Sequence, residues 1–303
     1  MTSPTSPSLR TFVSDVELQA LIARAQAEDM GKLGDITSQL FIPEDLDGQA
    51  SIVARQPGQL AGSAMLWLIA LAYDDAIETR LTAHDGQAIT AGQSIAQFTG
   101  PLRSILAMER VALNFVSHLS GVATLTDRYV SQVAGTSARI CDTRKTIPGL
   151  RALQKYAVAC GQGTTHRMGL FDALLIKDNH LAHLGAADLG KALKAAVKKA
   201  RKQYPKLKFI MVEVDRLDQL KPALASGVDL ILLDNMDCDT LAQAVALRDK
   251  ASRKVALEAS GQVSLETVAK IAQTGVDRIS VGALTHSAPA LDLGLDIAST
   301  PDA

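Results

Sequence analysis

Cysteine is scarce in this chain. The 303 residues include three cysteines, Cys141, Cys160 and Cys238, which lie far apart in the sequence. Because no Cys-x-x-Cys pair occurs, the sequence indicates neither a disulfide framework nor a zinc ribbon. Isolated thiols are typical of a reducing compartment, so we expect a cytoplasmic protein.

Excess charge and long apolar runs are also absent. The formal net charge is -1, so the chain has no overall basic field to attract nucleic acid, and any polyanion site must be built locally. The longest apolar run, around Ala64 to Tyr73, is too short to span a bilayer. The polar first ten residues lack the apolar core of a signal peptide. We therefore expect no nucleic-acid partner and no membrane partner.

The first 120 residues predict a small α/β domain after a disordered start. Residues 1–10 are rich in Ser, Thr and Pro, which is typical of disorder. A helix is expected from Ser14 to Asp29, with Ser14 as its N-cap and Glu17 three residues later. The other expected elements are a loop at 31–38, a strand at 49–55, a helix at 63–73, short strands within 78–100 and a helix at 103–133 with a break near Gly121.

A different rhythm follows, in which short apolar runs alternate with amphipathic stretches. The runs lie at 138–141, 173–176, 209–212, 230–233, 255–257 and 278–281. Helical patterns lie between them at about 184–203, 216–225, 238–250 and 264–273. Fully apolar strands that alternate with helices predict a parallel sheet covered by helices, and six such units favour an α/β barrel over an open sheet.

Cations follow the first two runs, at the strand ends where α/β barrels carry their active sites. Arg144 and Lys145 follow the first run, Lys177 follows the second, and His166 and Arg167 lie in the loop between them. If these side chains converge, the empty pocket repels itself, and a multiply charged anion would relieve the repulsion. Arginine suits carboxylates and phosphates, so a dicarboxylate, a phosphate ester or both are the expected ligands.

The later runs end in acids and in small residues. Glu213 and Asp234 close consecutive strands, so we expect them side by side, where they could hold a divalent metal, bind sugar hydroxyls or stabilise a positive centre. Ser260-Gly261 and the segment from Ser280 to Gly282 follow the last two runs. Small residues in late loops of a barrel commonly form a phosphate site, which we expect here.

Six segments, in order along the chain, carry a specific combination of motifs. They are DTRKTIPGLR at 142–151, GQGTTHRMGL at 161–170, LIKDNH at 175–180, LLDN at 232–235, LEASG at 257–261 and ISVGALTH at 279–286. Together they resemble the quinolinate phosphoribosyltransferases, and the resemblance covers about residues 15 to 295. It implies an α/β protein with an N-terminal α/β sandwich at 1–120, an incomplete, open α/β barrel with parallel strands at 121–285, and a tail at 286–303 that returns to the first domain.

The resemblance also implies the reaction and the residues that carry it. Quinolinate and phosphoribosyl pyrophosphate would give nicotinate mononucleotide, pyrophosphate and carbon dioxide, a step of NAD biosynthesis. The residues implied to bind quinolinate are Thr143, Arg144, Lys145, His166, Arg167 and Lys177. Glu213 and Asp234 would face the ribose and its Mg²⁺, directly or through water and substrate, and with Lys145 they form the expected catalytic set. The residues implied to hold phosphates are Ser260, Gly261, Gln262, Ser280, Val281 and Gly282.

The resemblance implies an assembly as well. Arg110 would reach the active site of a neighbouring subunit, which makes a homodimer the smallest active unit and allows a hexamer of dimers. Two positions depart from the family pattern: Gln162 replaces a glycine before His-Arg, and Gln262 stands where many members have Gly or Asn. The first loop can keep its shape if Gln162 has a negative φ.

The residues leave some alternatives open. Lys177 could form a Schiff base in an apolar pocket, as in barrel aldolases. His180 and His183 could be metal ligands, although no third ligand is apparent nearby. Non-catalytic relatives of the family tend to lack a block like the one at 177–180, and a nicotinate phosphoribosyltransferase would need fewer cations.

Overall fold

The computed structural model describes residues 7–181, 189–251 and 254–298. Within them the chain forms two compact units. The first contains residues 7–127, 148–162 and 287–298, and the second contains 128–147 and 163–286. The domain boundaries proposed at 120 and 285 stay predictions. Among the described helices, none combines the length and the hydropathy that a membrane span requires.

The first unit is built on an antiparallel sheet with the strand order β12-β1-β5-β3. Its strands are β1 (Asp47–Ala54), β2 (Gly58–Gln59), β3 (Glu78–Leu81), β4 (Ala88–Ile89), β5 (Ser94–Pro101) and β12 (Leu293–Ile297). Its helices are α1 (Asp15–Met30), α2 (Ile36–Phe41), α3 (Leu66–Tyr73), α4 (Leu102–Gln132, whose last five residues belong to the second unit) and α5 (Arg151–Cys160). The C-terminal strand β12 pairs with β1, and an ion pair joins Arg55 to Asp296.

The N-terminal predictions are partly right. The capping box of Ser14 and Glu17 is formed at the start of α1, as predicted. Of the ten residues expected to be disordered, 1–6 lie outside the described residues, and Leu9–Thr11 form a short 3-10 helix. The loop predicted at 31–38 is wrong for its last three residues, because the Asp35 carboxylate accepts a hydrogen bond from the Ser38 N–H and caps α2.

The break predicted in the long helix is wrong. Helix α4 continues through Gly121 without interruption. The glycine instead allows another backbone segment to lie close to the helix, since a Cβ atom at this position would lie 2.0 Å from the carbonyl oxygen of Pro289. Residue 121 therefore lacks a side chain because the C-terminal segment passes directly against the helix backbone.

The second unit is a parallel sheet with the strand order β6-β11-β10-β9-β8-β7. Its strands are β6 (Arg139–Cys141), β7 (Leu174–Ile176), β8 (Ile210–Val214), β9 (Leu230–Asp234), β10 (Ala256–Ser260) and β11 (Arg278–Ser280). Its helices are α6 (Asp178–Leu181), α7 (Leu189–Gln203), α8 (Leu217–Leu224), α9 (Cys238–Ala251), α10 (Val268–Gln273) and α11 (Ala283–His286). Within the described residues β6 and β7 are both edge strands, so the barrel is open, as predicted. Residues 184–188 of the helix predicted at 184–203 lie outside the described residues.

Three layers of side chains share one face of this sheet, because residues paired across parallel strands point to the same side. The lowest layer is apolar and contains Leu175, Met211 and Leu230. The next layer contains Glu213, Leu232, Glu258 and Arg278. The layer at the carboxyl end contains Asp234 and Ser260. The face thus changes from apolar to polar towards the ends that carry the predicted site.

Candidate active site

The carboxyl ends of the parallel strands surround a cavity of about 760 Å³. This volume lies in the range of small-ligand sites. The predicted site residues that line it are Thr143, Arg144, Lys145, His166, Arg167, Lys177, Glu213, Asp234, Ser260, Gly261, Gln262, Ser280 and Gly282. Thirteen positions chosen from strand ends and motifs therefore meet around one space.

Two arginines form the cationic part of the lining. Arg167 is 6% exposed, and burial lowers the pKa of its guanidinium, with repulsion from Arg144 as the next cause. The buried Nε of Arg144 has no hydrogen-bond partner among the described residues. The two side chains thus lie close enough to repel each other, and an anion between them would relieve that repulsion.

Lys145 is held at the cavity by its backbone. Its N–H donates to the Thr143 hydroxyl over 3.0 Å, and its carbonyl oxygen accepts from the Thr285 hydroxyl over 2.7 Å. A Cβ added to Gly282 would lie 3.1 Å from Nε2 of His286 and 3.2 Å from Cδ of Lys145. Gly282 therefore leaves room for the side chains of Lys145 and His286. His286, to which the sequence analysis assigned no role, is part of the cavity wall.

The acidic wall contains an internal ion pair. Strands β8 and β9 are neighbours, and Nζ of Lys177 lies 2.6 Å from Oε2 of Glu213. Asp234, at the end of β9, accepts a hydrogen bond of 2.8 Å from the side-chain amide of Asn235. Because Lys177 is paired with a carboxylate instead of lying in an apolar pocket, the arrangement disfavours the Schiff-base alternative.

The turn after β9 and the turn after β10 fit against each other. Gly261 has a φ of +97°, and a Cβ there would lie 2.0 Å from Oδ1 of Asn235, so only glycine fits. Asn235 and Gln262 themselves have positive φ values, 53° and 49°. This left-handed backbone favours Gly or Asn, so it accounts for the residues expected at position 262, and Gln262 adopts it at a conformational cost.

A buried ion network below the cavity was missed by the sequence analysis. Glu258 is fully buried, and its Oε2 lies 2.8 Å from Nε of Arg278, the paired residue on β11. Its Oε1 lies 3.6 Å from Nε2 of His166. The backbone N–H of His166 donates to the Asp142 carboxylate over 2.7 Å. Charged residues in the middle of a strand were the available signal.

Among the predicted phosphate-binding residues, Val281 does not line the cavity. Val281 is 1% exposed and absent from the lining, and its N–H donates to the Cys141 carbonyl. Arg110 lies on α4 in the first unit, with its side chain 63% exposed and 3.9 Å from Glu109. The condition stated for Gln162 is not met, because its φ is +64°.

No group of three His, Cys, Asp or Glu side chains in the described part of the chain could by itself hold a metal ion. His183 lies outside the described residues, so the alternative that His180 and His183 are metal ligands stays a prediction. His180 instead accepts a hydrogen bond of 3.0 Å at Nδ1 from the Lys177 N–H. Glu213 and Asp234 are two of the carboxylates in the cavity wall, and carboxylate oxygens of this kind could bind a hard cation.

Comparisons with known proteins agree with this architecture. Residues 35–120 match the family model of the quinolinate phosphoribosyl transferase N-terminal domain, and residues 122–296 match that of the C-terminal domain. A solved nicotinate-nucleotide pyrophosphorylase from Francisella tularensis superposes with a TM-score of 0.87 at 38% identity, covering 98% of this chain and 100% of that one.

Sequence relatives cover the chain almost from end to end. The Mycobacterium leprae protein named nicotinate-nucleotide pyrophosphorylase (carboxylating) is 45% identical over 292 residues, which are 94% of this chain and 100% of that protein. A Bacillus subtilis protein with the same name, marked probable, is 39% identical and covers 94% of this chain and 95% of its own length. The chain belongs to the quinolinate phosphoribosyltransferase family.

Proposed function

We propose that the chain transfers the phosphoribosyl group of phosphoribosyl pyrophosphate to quinolinate, forming nicotinate mononucleotide, pyrophosphate and carbon dioxide in NAD biosynthesis. Such an enzyme is a pentosyltransferase. The observation that carries the proposal is the meeting of Arg144, Lys145, Arg167 and Lys177 in one cavity beside Glu213 and Asp234. The family and the names of the relatives support it.

Quinolinate binds to the cationic part of the cavity. Its two carboxylates suit the guanidinium groups of Arg144 and Arg167, which can donate paired hydrogen bonds. Each charge-assisted hydrogen bond contributes about 1.5–3 kcal/mol. Lys145 and Lys177 add point charges at the rim, and Thr143 and His166 border the same region. Because the two arginines repel each other, a dianion should bind there with a more favourable free energy than a monoanion.

Phosphoribosyl pyrophosphate occupies the opposite side. Glu213 and Asp234 face the ribose hydroxyls, and the turns at Ser260, Gly261 and Gln262 and at Ser280 and Gly282 accommodate phosphate oxygens through small side chains and backbone. His286 and Lys145 adjoin Gly282, so we add His286 to the phosphate-binding residues. Val281 is left out, because its N–H is already used by the sheet.

The chemistry needs no nucleophile from the protein. Pyrophosphate leaves C1 of the ribose, the oxocarbenium-like centre is stabilised by Glu213 and Asp234, and the quinolinate nitrogen forms the new bond to C1. The resulting pyridinium loses its 2-carboxylate as carbon dioxide. The electron pair stays on C2 next to the positive nitrogen and then takes up a proton. The protein chiefly positions the two substrates, which can supply several kcal/mol of the barrier.

A divalent cation completes the proposal. Mg²⁺ is usually bound through one or two carboxylates together with substrate phosphates, and Glu213 and Asp234 provide those carboxylates, directly or through water. When bound, Mg²⁺ neutralises the charge of the departing pyrophosphate. Lys177, 2.6 Å from Glu213, orients one of these two carboxylates.

Assembly and location are part of the same proposal. The exposed Arg110 reaches the cavity of a second subunit, so a homodimer is the smallest active unit and a hexamer of dimers is compatible with it. Cys141, Cys160 and Cys238 are free thiols, which supports a reducing cytoplasmic location.

The proposal is tested by the release of labelled carbon dioxide. Purified protein is mixed with quinolinate labelled in its 2-carboxylate, with and without phosphoribosyl pyrophosphate and Mg²⁺. Release that requires phosphoribosyl pyrophosphate supports the proposal, and no release would instead favour a non-catalytic relative. Nicotinate serves as the competitor: an enzyme for nicotinate would convert it without carbon dioxide and would prefer it over quinolinate.

A further inference from the structure

A fully buried carboxylate lies on the same sheet face as the cavity, one layer below its mouth. Glu258 is 0% exposed and lies in the middle of β10. Its cross-strand neighbour on β11 is Arg278, and the two side chains form an ion pair of 2.8 Å. Burying a charged residue at an inward position of a barrel strand costs free energy, even when it is paired. We therefore asked what Glu258 contributes at this position.

Two opposing effects act on the Glu258–Arg278 pair. Burial lowers the pKa of the Arg278 guanidinium, but its interactions with Cys141 and Glu258 have a larger combined effect, so the pKa is raised. Burial raises the pKa of Glu258, and the charge of Arg278 opposes that rise. Because arginine keeps its proton in proteins, a neutral Glu258 would leave a buried cation without a counterion.

The second contact of Glu258 is with His166. Nδ1 of His166 accepts a hydrogen bond of 2.8 Å from the Arg167 N–H, so the proton of the neutral ring is on Nε2. Nε2 faces Oε1 of Glu258 at 3.6 Å. The ring edge also packs on Phe209, with 5.1 Å between ring centroids. Both ring nitrogens of His166 are therefore directed by the protein.

This geometry connects the buried carboxylate to a cation of the cavity. Glu258 orients the His166 ring, and the same ring accepts from the backbone of Arg167, the most buried cation in the lining. We propose that Glu258 is a positioning residue that acts through His166 to hold Arg167 in place for a substrate carboxylate. The inference rests on the proposed function, and it assigns His166 to orientation instead of direct contact.

The test removes both charges of the pair, so that neither partner is left buried and alone. In the double variant Glu258→Gln with Arg278→Met, the KM for quinolinate should rise about tenfold or more, as for other residues that orient a ligand-binding group. The KM for phosphoribosyl pyrophosphate should rise less than the KM for quinolinate, because His166 and Arg167 lie on the quinolinate side of the cavity, whereas the phosphate turns only follow the two strands that carry the substitutions. An unchanged KM for quinolinate overturns the inference.

A second ion pair of the same unit, formed by a buried arginine and a partly exposed aspartate, provides the control. Arg248 is 6% exposed, lies 2.6 Å from Asp277 and does not line the cavity. The variant Arg248→Met with Asp277→Asn should lower the melting temperature but leave the KM for quinolinate unchanged. If both double variants raise this KM equally, Glu258 has only a structural role and the inference is wrong.

The single variant Glu258→Gln gives an independent signature that does not depend on activity. In the ¹⁵N spectrum of the histidine rings, His166 (assigned by its loss in His166→Gln) should show the Nε2–H form in the wild type and a shifted Nε2 in the variant. An unshifted signal contradicts the proposal. The outcomes are separable from the proposed function, because failure of the wild type to release carbon dioxide would disprove the function without altering the contact between Glu258 and His166.

Discussion

At the residue scale, the cavity depends on side chains whose charges oppose each other. Burial and repulsion from the nearby Arg144 destabilise the charged form of Arg167 and together lower its pKa. The buried Nε of Arg144 lacks a protein partner among the described residues. Such groups are stable only if something compensates them, and a dianionic ligand does so at both positions.

Removing either guanidinium should therefore weaken quinolinate binding. Arg144→Ala and Arg167→Ala are each expected to cost about 1.5–3 kcal/mol in binding free energy, measured by isothermal titration. Arg→Lys should restore only part of the loss, since an ammonium group cannot make the paired hydrogen bonds.

The matched control for these variants is Arg201→Ala. Arg201 is exposed, pairs with Asp229 and does not line the cavity, so its loss should not change quinolinate affinity. Unchanged affinity in both cavity variants would remove Arg144 and Arg167 from the site.

The sequence predicted the cavity residues better than their conformations. Lys177 and Asp234 could be found because each follows an apolar run at a strand end. Glu258 also lies near a strand end, but its contacts with Arg278 and His166 could not be predicted, since they depend on strand register and not on sequence distance. The positive φ of Gln162 was equally inaccessible, because it depends on how a loop closes.

At the element scale, helix α4 illustrates how tertiary contact overrides local propensity. Gly121 suggested a break, since glycine is a weak helix former. The helix continues because its neighbours pack well, and the glycine is required by the chain segment at Pro289. The positions of α1 and α4 show that caps and periodicity predict where helices lie, whereas close backbone contacts between distant segments are invisible in the sequence.

Gly121→Ala is therefore expected to destabilise the protein despite the better helix propensity of alanine. The added Cβ would lie 2.0 Å from the Pro289 carbonyl oxygen, and relieving this clash should cost about 1–3 kcal/mol of unfolding free energy in denaturant titration. Gly190→Ala on α7 is the control, because its nearest atom, Cβ of Pro222, is 3.2 Å away. Equal stability of Gly121→Ala and the wild type would contradict the packing argument.

At the scale of the whole molecule, the alternation of apolar runs and helices was sufficient to predict an α/β barrel of parallel strands, and the resemblance to a family implied that the barrel is open. The sequence could not show which strands form its edges, since that depends on the pairing of β6 with β11. The pairing of β12 with β1 likewise joins residues far apart in the chain.

Mixing two inactive variants tests whether the active site is shared between subunits. If Arg110 reaches the cavity of a neighbouring subunit, as proposed, Arg110→Ala and Lys145→Ala proteins should each have little activity, because every site then lacks one cation. Unfolding and refolding them together should restore up to about a quarter of the wild-type activity, since a mixed dimer contains one intact site. No recovery in dimers of confirmed mixed composition would count against a shared site.

The claim on which the account depends is that cations from separate strand ends surround one small dicarboxylate. Calorimetric titration of the wild-type protein with quinolinate and with nicotinate tests it directly. Because the additional carboxylate should contribute about 1.5–3 kcal/mol, we expect quinolinate to bind about ten- to a hundredfold more tightly. Equal affinities for the two acids would contradict the account.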